Sequence, residues 1–261
     1  MKKLMLPLLA ALSTSAFSSD IEFQALTKKQ VEDITTEFAV NFSHTVVAAP
    51  ETDGLWGVEV GVIGGTTGSP ELKNAVNDAG GDGKDFKSVY HAGLAARVHI
   101  PFDLYAEVSV LPEREISGIN VGARSLGVGW NAGASFGLPL DLAIGANASS
   151  SAIDFEQDIS GVPAKIDIES TTRVLYVGVS KSFLFVTPYA KVGTARQESD
   201  VEVKGVGTIF GYTLKQKDDA EKTGGYLAAG LNLQLFFFKL GFEYQQMLDV
   251  KRASGKLSLD F

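Results

Sequence analysis

The chain has 261 residues, 45% of them hydrophobic and 21% charged, which is too apolar for a disordered polypeptide and long enough for one large domain. It has no cysteine, which excludes disulfides, thiolate metal sites and a thiol nucleophile, and three histidines (His44, His91, His99) leave little material for imidazole chemistry. A net charge of −8 supplies no basic stripe for nucleic acid, and 28 glycines exceed the usual share.

The first residues read as an address. A basic start (Met1-Lys2-Lys3), an apolar run from Leu4 to Leu12 and the small-residue end Ala16-Phe17-Ser18 have the three parts of a secretory signal peptide, assigned to residues 1–18. The apolar run is too short to cross the ~30 Å of a bilayer core as a helix. Residues 19–50 do not alternate. Val31, Ile34, Phe38 and Phe42 recur at helical spacing, with Thr27 as N-cap, so a helix is expected from about Lys28 to His44. It is expected on the periplasmic, short-turn side, as a plug in a lumen or as a lid on its mouth. The narrow apolar stripe and a polar lumen favour the lid.

From residue 51 to 261 the pattern changes to period two. Trp56, Val58, Val60 and Val62 alternate with Gly57, Glu59 and Gly61. The same holds for Tyr90 to Ile100, Leu104 to Val110, Leu126 to Trp130, Leu140 to Ala148, Leu175 to Val179, Leu184 to Val192, Leu227 to Leu235, Phe238 to Tyr244 and Leu257 to Phe261. Residues two apart on a strand share a face, so each segment has one greasy side and one small or polar side. Connections after the even-numbered strands are short: Pro101–Asp103, Ala132–Pro139, Lys181–Phe183 and Phe236–Phe237. Those after the odd-numbered strands are long: Gly65–Lys87, Pro112–Ala123, Ser151–Thr172, Arg196–Thr223 and Leu248–Ser254. This asymmetry is that of a transmembrane barrel. A soluble β-sandwich also alternates, but has no reason to sort its loops by length. Aromatic residues at strand ends (Trp56, Phe102, Trp130, Phe183 and Phe261 towards the short turns, Tyr90 and Tyr244 towards the long loops) fit interfacial girdles. The expected fold is all-β: a ten-stranded antiparallel transmembrane β-barrel with a short N-terminal periplasmic helix.

The chain ends in Lys256-Leu257-Ser258-Leu259-Asp260-Phe261. This resembles the C-terminal signature of bacterial outer-membrane β-barrel proteins, and implies recognition of Phe261 by the barrel insertion machinery and a periplasmic C-terminus. Outer-membrane lipids and lipopolysaccharide are the implied surroundings.

The inward faces carry Glu59, Glu107, Asp141, Glu243 and Asp260 beside Arg97, Lys191, Lys239 and Lys256. His91, His99, Tyr105, Asn147, Asn232 and Gln234 share those faces. Charges inside a membrane barrel must be paired or hydrated, so a salt-bridged core and a narrow mixed-charge pore are both open readings. Inward glycines and alanines would thin the filling, and a barrel of this size lies between the filled and the open classes. A narrow pore for small solutes is therefore the leading expectation. The alternative is a non-conducting barrel whose long acidic loops, above all Asp154 to Glu169, bind a partner or surface saccharide. Ten-stranded outer-membrane proteases use acidic residues and a rim histidine. Here His91 is the rim candidate and lacks an Asp-rich motif nearby, so no enzymatic activity, metal site or cofactor is expected.

Overall fold

The computed structural model describes residues 28–51, 56–78, 84, 87–116, 119–159, 162–206 and 213–261. The signal-peptide reading and the Thr27 cap lie outside these residues. Helix α1 (Lys28–Asn41) leads through an extended segment to β1 (Gly57–Gly68), α2 (Pro70–Asp78), β2 (Ser88–Ile100), β3 (Leu104–Ile116), β4 (Ile119–Asn131), α3 (Ala132–Ser135), β5 (Asp141–Ile159), β6 (Val162–Ser180), β7 (Val186–Val206), β8 (Thr213–Leu235), β9 (Phe238–Met247) and β10 (Val250–Asp260). Every neighbouring pair is antiparallel, and β10 returns to β1 through pairs such as Val60↔Leu259 and Val62↔Leu257. The sheet closes into a ten-stranded barrel, so no strand edge is left within the ring where every strand has two neighbours.

The outward positions form one apolar belt. Val58, Val60, Leu94, Val98, Val108, Val128, Ile144, Val177, Phe242 and Leu257 are all exposed on the outside of the ring. On β2 the belt runs from Ala92 to Ile100, which matches the ~9–11 tilted residues needed to cross hydrocarbon. A continuous exposed surface of this kind is suited to lipid and not to water. The barrel is transmembrane.

Three sequence expectations need correction. Leu248–Ser254 is not a long loop: β9 turns into β10 through Leu248 and Asp249 alone, both at positive φ (53° and 70°), as a two-residue hairpin requires. Ser151–Thr172 and Arg196–Thr223 are mostly strand, because β5 to β8 run 19 to 23 residues. Pro112–Ala123 is likewise a hairpin, with one register shift between Leu111 and Arg114.

The reason lies in the phase of the pattern. Along β5, apolar Leu142, Ile144 and Ala146 face out while Ala143, Gly145, Asn147 and Ser149 face in; further along, Ile153 faces in. On β6, Leu175, Val177 and Val179 face out but Ile166, Ile168 and Val174 face in. The two-residue period never stops. Its sign reverses where the outside changes from hydrocarbon to water, and the reversal reads as a loop when only outward grease is counted.

The inward glycines do not thin the lumen. Gly129, Gly145 and Gly230 lie directly across from Tyr105, Tyr176 and Tyr189, and a β-carbon at any of them would overlap the neighbouring ring. The rings lie flat on the glycine backbone and fill the space it leaves.

Candidate functional site in the barrel lumen

The lumen is occupied by the chain's own N-terminal segment. Helix α1 sits inside the ring at the long-loop end, and the extended residues after it run down to the short turns. This corrects the expected position on the short-turn side. The polar-lumen argument for a lid fails because the upper lumen offers the helix apolar contacts beside its polar ones. Val40 packs with Val174, Tyr176, Ala195, Tyr226 and Met247, and Phe38 and Phe42 lie against Ile153, Ile168 and Val201. The helix, expected to end near His44, ends at Asn41.

At the long-loop mouth, Gln30 reaches Asp78 of α2 at 3.5 Å and Asp33 lies 3.6 Å from Lys222. Glu37, 2% exposed, accepts hydrogen bonds from the backbone N–H groups of Glu71 (2.8 Å) and Leu72 (3.0 Å). The carboxylate thereby caps the first turn of α2, where orphan amides and the helix dipole favour an acceptor. Burial, together with the nearby acids Glu71 and Asp33, nevertheless raises its pKa to about 7 from an ordinary 4.5.

A carboxyl group whose pKa is higher when docked binds more protons in that state. The α1–α2 contact should therefore strengthen as pH falls from about 7 towards 4.5, and reach its weakest level above 7. Hydrogen exchange of α1 amides should show protection rising over that window, by on the order of 1–3 kcal/mol. Glu37→Gln should flatten the dependence.

Deeper in, Asn41 donates its side-chain amide to the Tyr90 carbonyl at 3.2 Å and contacts His91 Nδ1 through its Oδ1 at 3.1 Å. His91 Nε2 meets Ser254 Oγ at 3.2 Å. Buried between the helix and β10, His91 is not an open rim residue. Helix α1 has no basic residue in its own last turn; β10 supplies one. Arg252, 1% exposed, donates to the carbonyls of Val40 (2.8 Å), Ser43 (3.2 Å) and His44 (3.0 Å), to Ser43 Oγ (2.8 Å) and to Gln245 Oε1 (2.7 Å). Its guanidinium fork is the C-terminal cap of the helix.

Below the helix, His44 bridges Ser125 Oγ (2.7 Å, Nδ1) and Glu107 Oε2 (3.1 Å, Nε2). The residue types are those of a hydrolase relay, but Ser125 Oγ also engages Ser109 Oγ at 2.5 Å, and the group pins the segment to the wall. Arg97 donates to the carbonyls of Ala49 and Glu51, lies 3.6 Å from Glu107 and covers the Tyr105 ring at 4.2 Å. At the bottom, Glu51 reaches Lys239 (3.8 Å) and Ser182 (3.0 Å). Lys239 also meets Glu59 (3.6 Å) and Asp260 (3.3 Å), and Lys256 pairs with Glu59. Across the lumen, Lys191 and Tyr189 converge on Glu243 at 3.1 and 3.0 Å.

Glu59, His91, Arg97, His99, Tyr105, Glu107, Lys191, Asn232, Lys239 and Glu243 are buried on inward positions. Asp141, Asn147 and Gln234 face inward but are half-buried; Asp141 accepts from Asn131 at 2.6 Å. Four functional contributors escaped the sequence reading: Arg252, placed in a loop, and His44, Ser125 and Glu51, whose partners are remote in the chain. The aromatics Trp56, Tyr90, Phe102, Phe183, Tyr244 and Phe261 are exposed at strand ends. Trp130 is half-buried and donates its indole N–H to Ser135 at 3.0 Å.

Comparisons with solved structures return distant likenesses. The attachment invasion locus protein Ail of Yersinia pestis, solved with the heparin analogue sucrose octasulfate, is 13% identical with a TM-score of 0.37, over 79% of this chain and 97% of Ail. The translocator domain of the autotransporter NalP of Neisseria meningitidis is 10% identical with a TM-score of 0.42, over 90% of this chain and 95% of that domain. A mutant of the monoaromatic hydrocarbon channel TodX is 7% identical with a TM-score of 0.27, over 96% of this chain and 97% of that one. The barrel assignment rests on the closed register and not on these likenesses. No curated protein matches the chain. A family model does match, over residues 61–247, and on that extent the chain belongs to the family of unknown function DUF6588.

Proposed function

We propose that this protein is a bacterial outer-membrane channel for small solutes whose N-terminal segment is its gate. The observation that carries the reading is the way the lumen is closed. It is blocked by one continuous segment, Lys28 to Glu51, held at several levels by wall side chains that grip backbone carbonyls (Arg252 on Val40, Ser43 and His44; Arg97 on Ala49 and Glu51). Such contacts leave no covalent or interlocked obstacle. With the segment displaced, the wall would present Arg97, Glu107, Lys191, Lys239 and Glu243 to a mixed-charge passage suited to small polar solutes. In this reading the short turns and the C-terminus face the periplasm, residues 1–18 are a signal peptide removed on export, and Phe261 is read by the insertion machinery. The surroundings are outer-membrane lipids and lipopolysaccharide, and the protein is no enzyme. The reading of a non-conducting, loop-binding barrel loses its main support, because the acidic stretch is largely strand and Asp154 and Asp167 face each other there around Lys165.

Planar-bilayer recording tests the proposal. The full chain should be silent or open rarely, and a variant lacking residues 28–50 should conduct steadily. Flat traces from both, with folded barrels verified by heat-dependent gel mobility, would overturn it.

A further inference from the structure

The outer wall carries a feature that the lumen does not explain. Where β4 to β8 leave the apolar belt, the surface has a recess of about 640 Å³. Two rows of outward residues build it. The lower row is Val128, Ala146, Leu175 and Thr194, and the upper is Leu126, Ala148, Arg173 and Arg196, successive cross-strand neighbours in each case. Ala146 and Ala148 form the floor between the taller Leu126 and Leu175, and the lining is almost wholly apolar. One row further down, Ile144, Val177 and Val192 restore the full height of the belt.

Arg173 and Arg196 face each other directly across β6 and β7. Like charges in that relation repel, and both side chains are on the lipid-facing side at the edge of hydrocarbon, where a bare cation is costly. Arg196 is committed to Glu198 (3.0 Å) and Glu221 (3.1 Å). Among the described residues Arg173 reaches only Glu198, at 3.6 Å, and its side chain is 61% exposed. Most of its five N–H donors therefore have no protein partner among the described residues.

We propose that this recess binds one phosphate-bearing lipid of the leaflet at the long-loop end. The phosphate is held by Arg173 with help from Arg196, and the first carbons of an acyl chain fill the space over Ala146 and Ala148. Guanidinium geometry matches phosphate in a bidentate fashion, the floor of the recess is apolar as a chain requires, and the two arginines stand one outward row beyond Leu175. A lipid here would bridge five strands of the wall that surrounds α1.

The test uses the full chain in detergent micelles, with phosphatidic acid and diacylglycerol of identical chains as probes and native mass spectrometry as readout. Phosphatidic acid should be retained about tenfold over diacylglycerol, a discrimination within reach of one charge-assisted contact. The double variant Arg173→Gln/Arg196→Gln should lose the preference, and Ala148→Trp, which fills the recess, should reduce retention of both lipids. Both variants change exposed positions, and their folding is checked by heat-dependent gel mobility. A remote exposed change, Lys251→Gln, should leave retention unchanged. Equal retention of the two probes by the native chain, an unaltered preference in the double variant, or displacement of the lipid by inorganic phosphate alone would each overturn the proposal.

Discussion

Arg252→Ala should free the N-terminal segment and open the barrel. The guanidinium is fully enclosed and satisfies the carbonyls of Val40, Ser43 and His44, which the last turn of α1 leaves without partners of their own. Alanine removes all of these donors at once and leaves a cavity at the helix end. Each buried acceptor left without its donor costs about 1–3 kcal/mol. The expected result is steady single-channel current where the native chain is nearly silent, together with rapid protease cleavage between Asn41 and Glu51. Arg252→Lys should be intermediate, because an ammonium cannot span three carbonyls with a planar fork. If Arg252→Ala leaves both current and protease resistance as in the native chain, the helix is held by its apolar packing alone and this arginine is not its clasp.

Glu59→Gln should weaken the barrel itself more than any other single lumen change at the short-turn end. Glu59 is the common partner of Lys239 and Lys256, and also accepts from Ser258 Oγ at 2.6 Å. Both lysines are nearly fully enclosed. Neutralising the acid leaves two buried ammonium groups with less compensation. Breaking such a cluster costs about 3–5 kcal/mol, whereas replacing all of its members by apolar groups of like volume is often neutral. Urea unfolding in micelles should show the loss in the midpoint. The double variant Glu59→Gln/Lys256→Met should recover part of it, and the non-additivity measures the coupling. A stability within ~0.5 kcal/mol of the native one would mean that Asp260 and Glu51 carry the charge balance at this end.

The two experiments separate two roles of the same lumen. Arg252 and Arg97 act on backbone carbonyls of the N-terminal segment, so their loss changes where that segment sits. Glu59, Lys239 and Lys256 tie β1, β9 and β10 to one another across the closing seam of the barrel, so their loss changes whether the ring holds. Conductance reports the first and unfolding the second.

Much of the barrel was legible because the hydrocarbon imposes a rule on single residues: outward positions must be apolar and backbone groups must be paired. That rule alone marks ten segments and the inward direction of Glu59, Arg97, Glu107 and Lys239. The rule ends with the membrane. Beyond the belt the outside becomes water, the inside becomes the seat of α1, and the same alternation continues with opposite sign. Ile153, Ile168 and Val201 were therefore indistinguishable from loop residues, although each occupies a regular inward strand position. Arg252 was missed for a different reason: it follows a two-residue turn that lacks any glycine, proline or asparagine signal (Leu248-Asp249).

The glycines misled in a different way. An inward Gly145 or Gly230 implies empty space only when its cross-strand neighbour is ignored. Register decides that neighbour, and it is Tyr176 in one case and Tyr189 in the other. Register depends on strands far apart in the chain, and no local pattern encodes it.

The amino-acid sequence by itself determined the barrel, its strand number and which face of each strand meets lipid, because those follow from the polarity of each residue against a uniform solvent. The tertiary structure alone decided that the lumen is filled, by which segment, and through which grips. Those depend on pairings such as Arg252 with Val40 and His44 with Glu107, which join residues remote in the chain and exist only once the ring has closed around the helix.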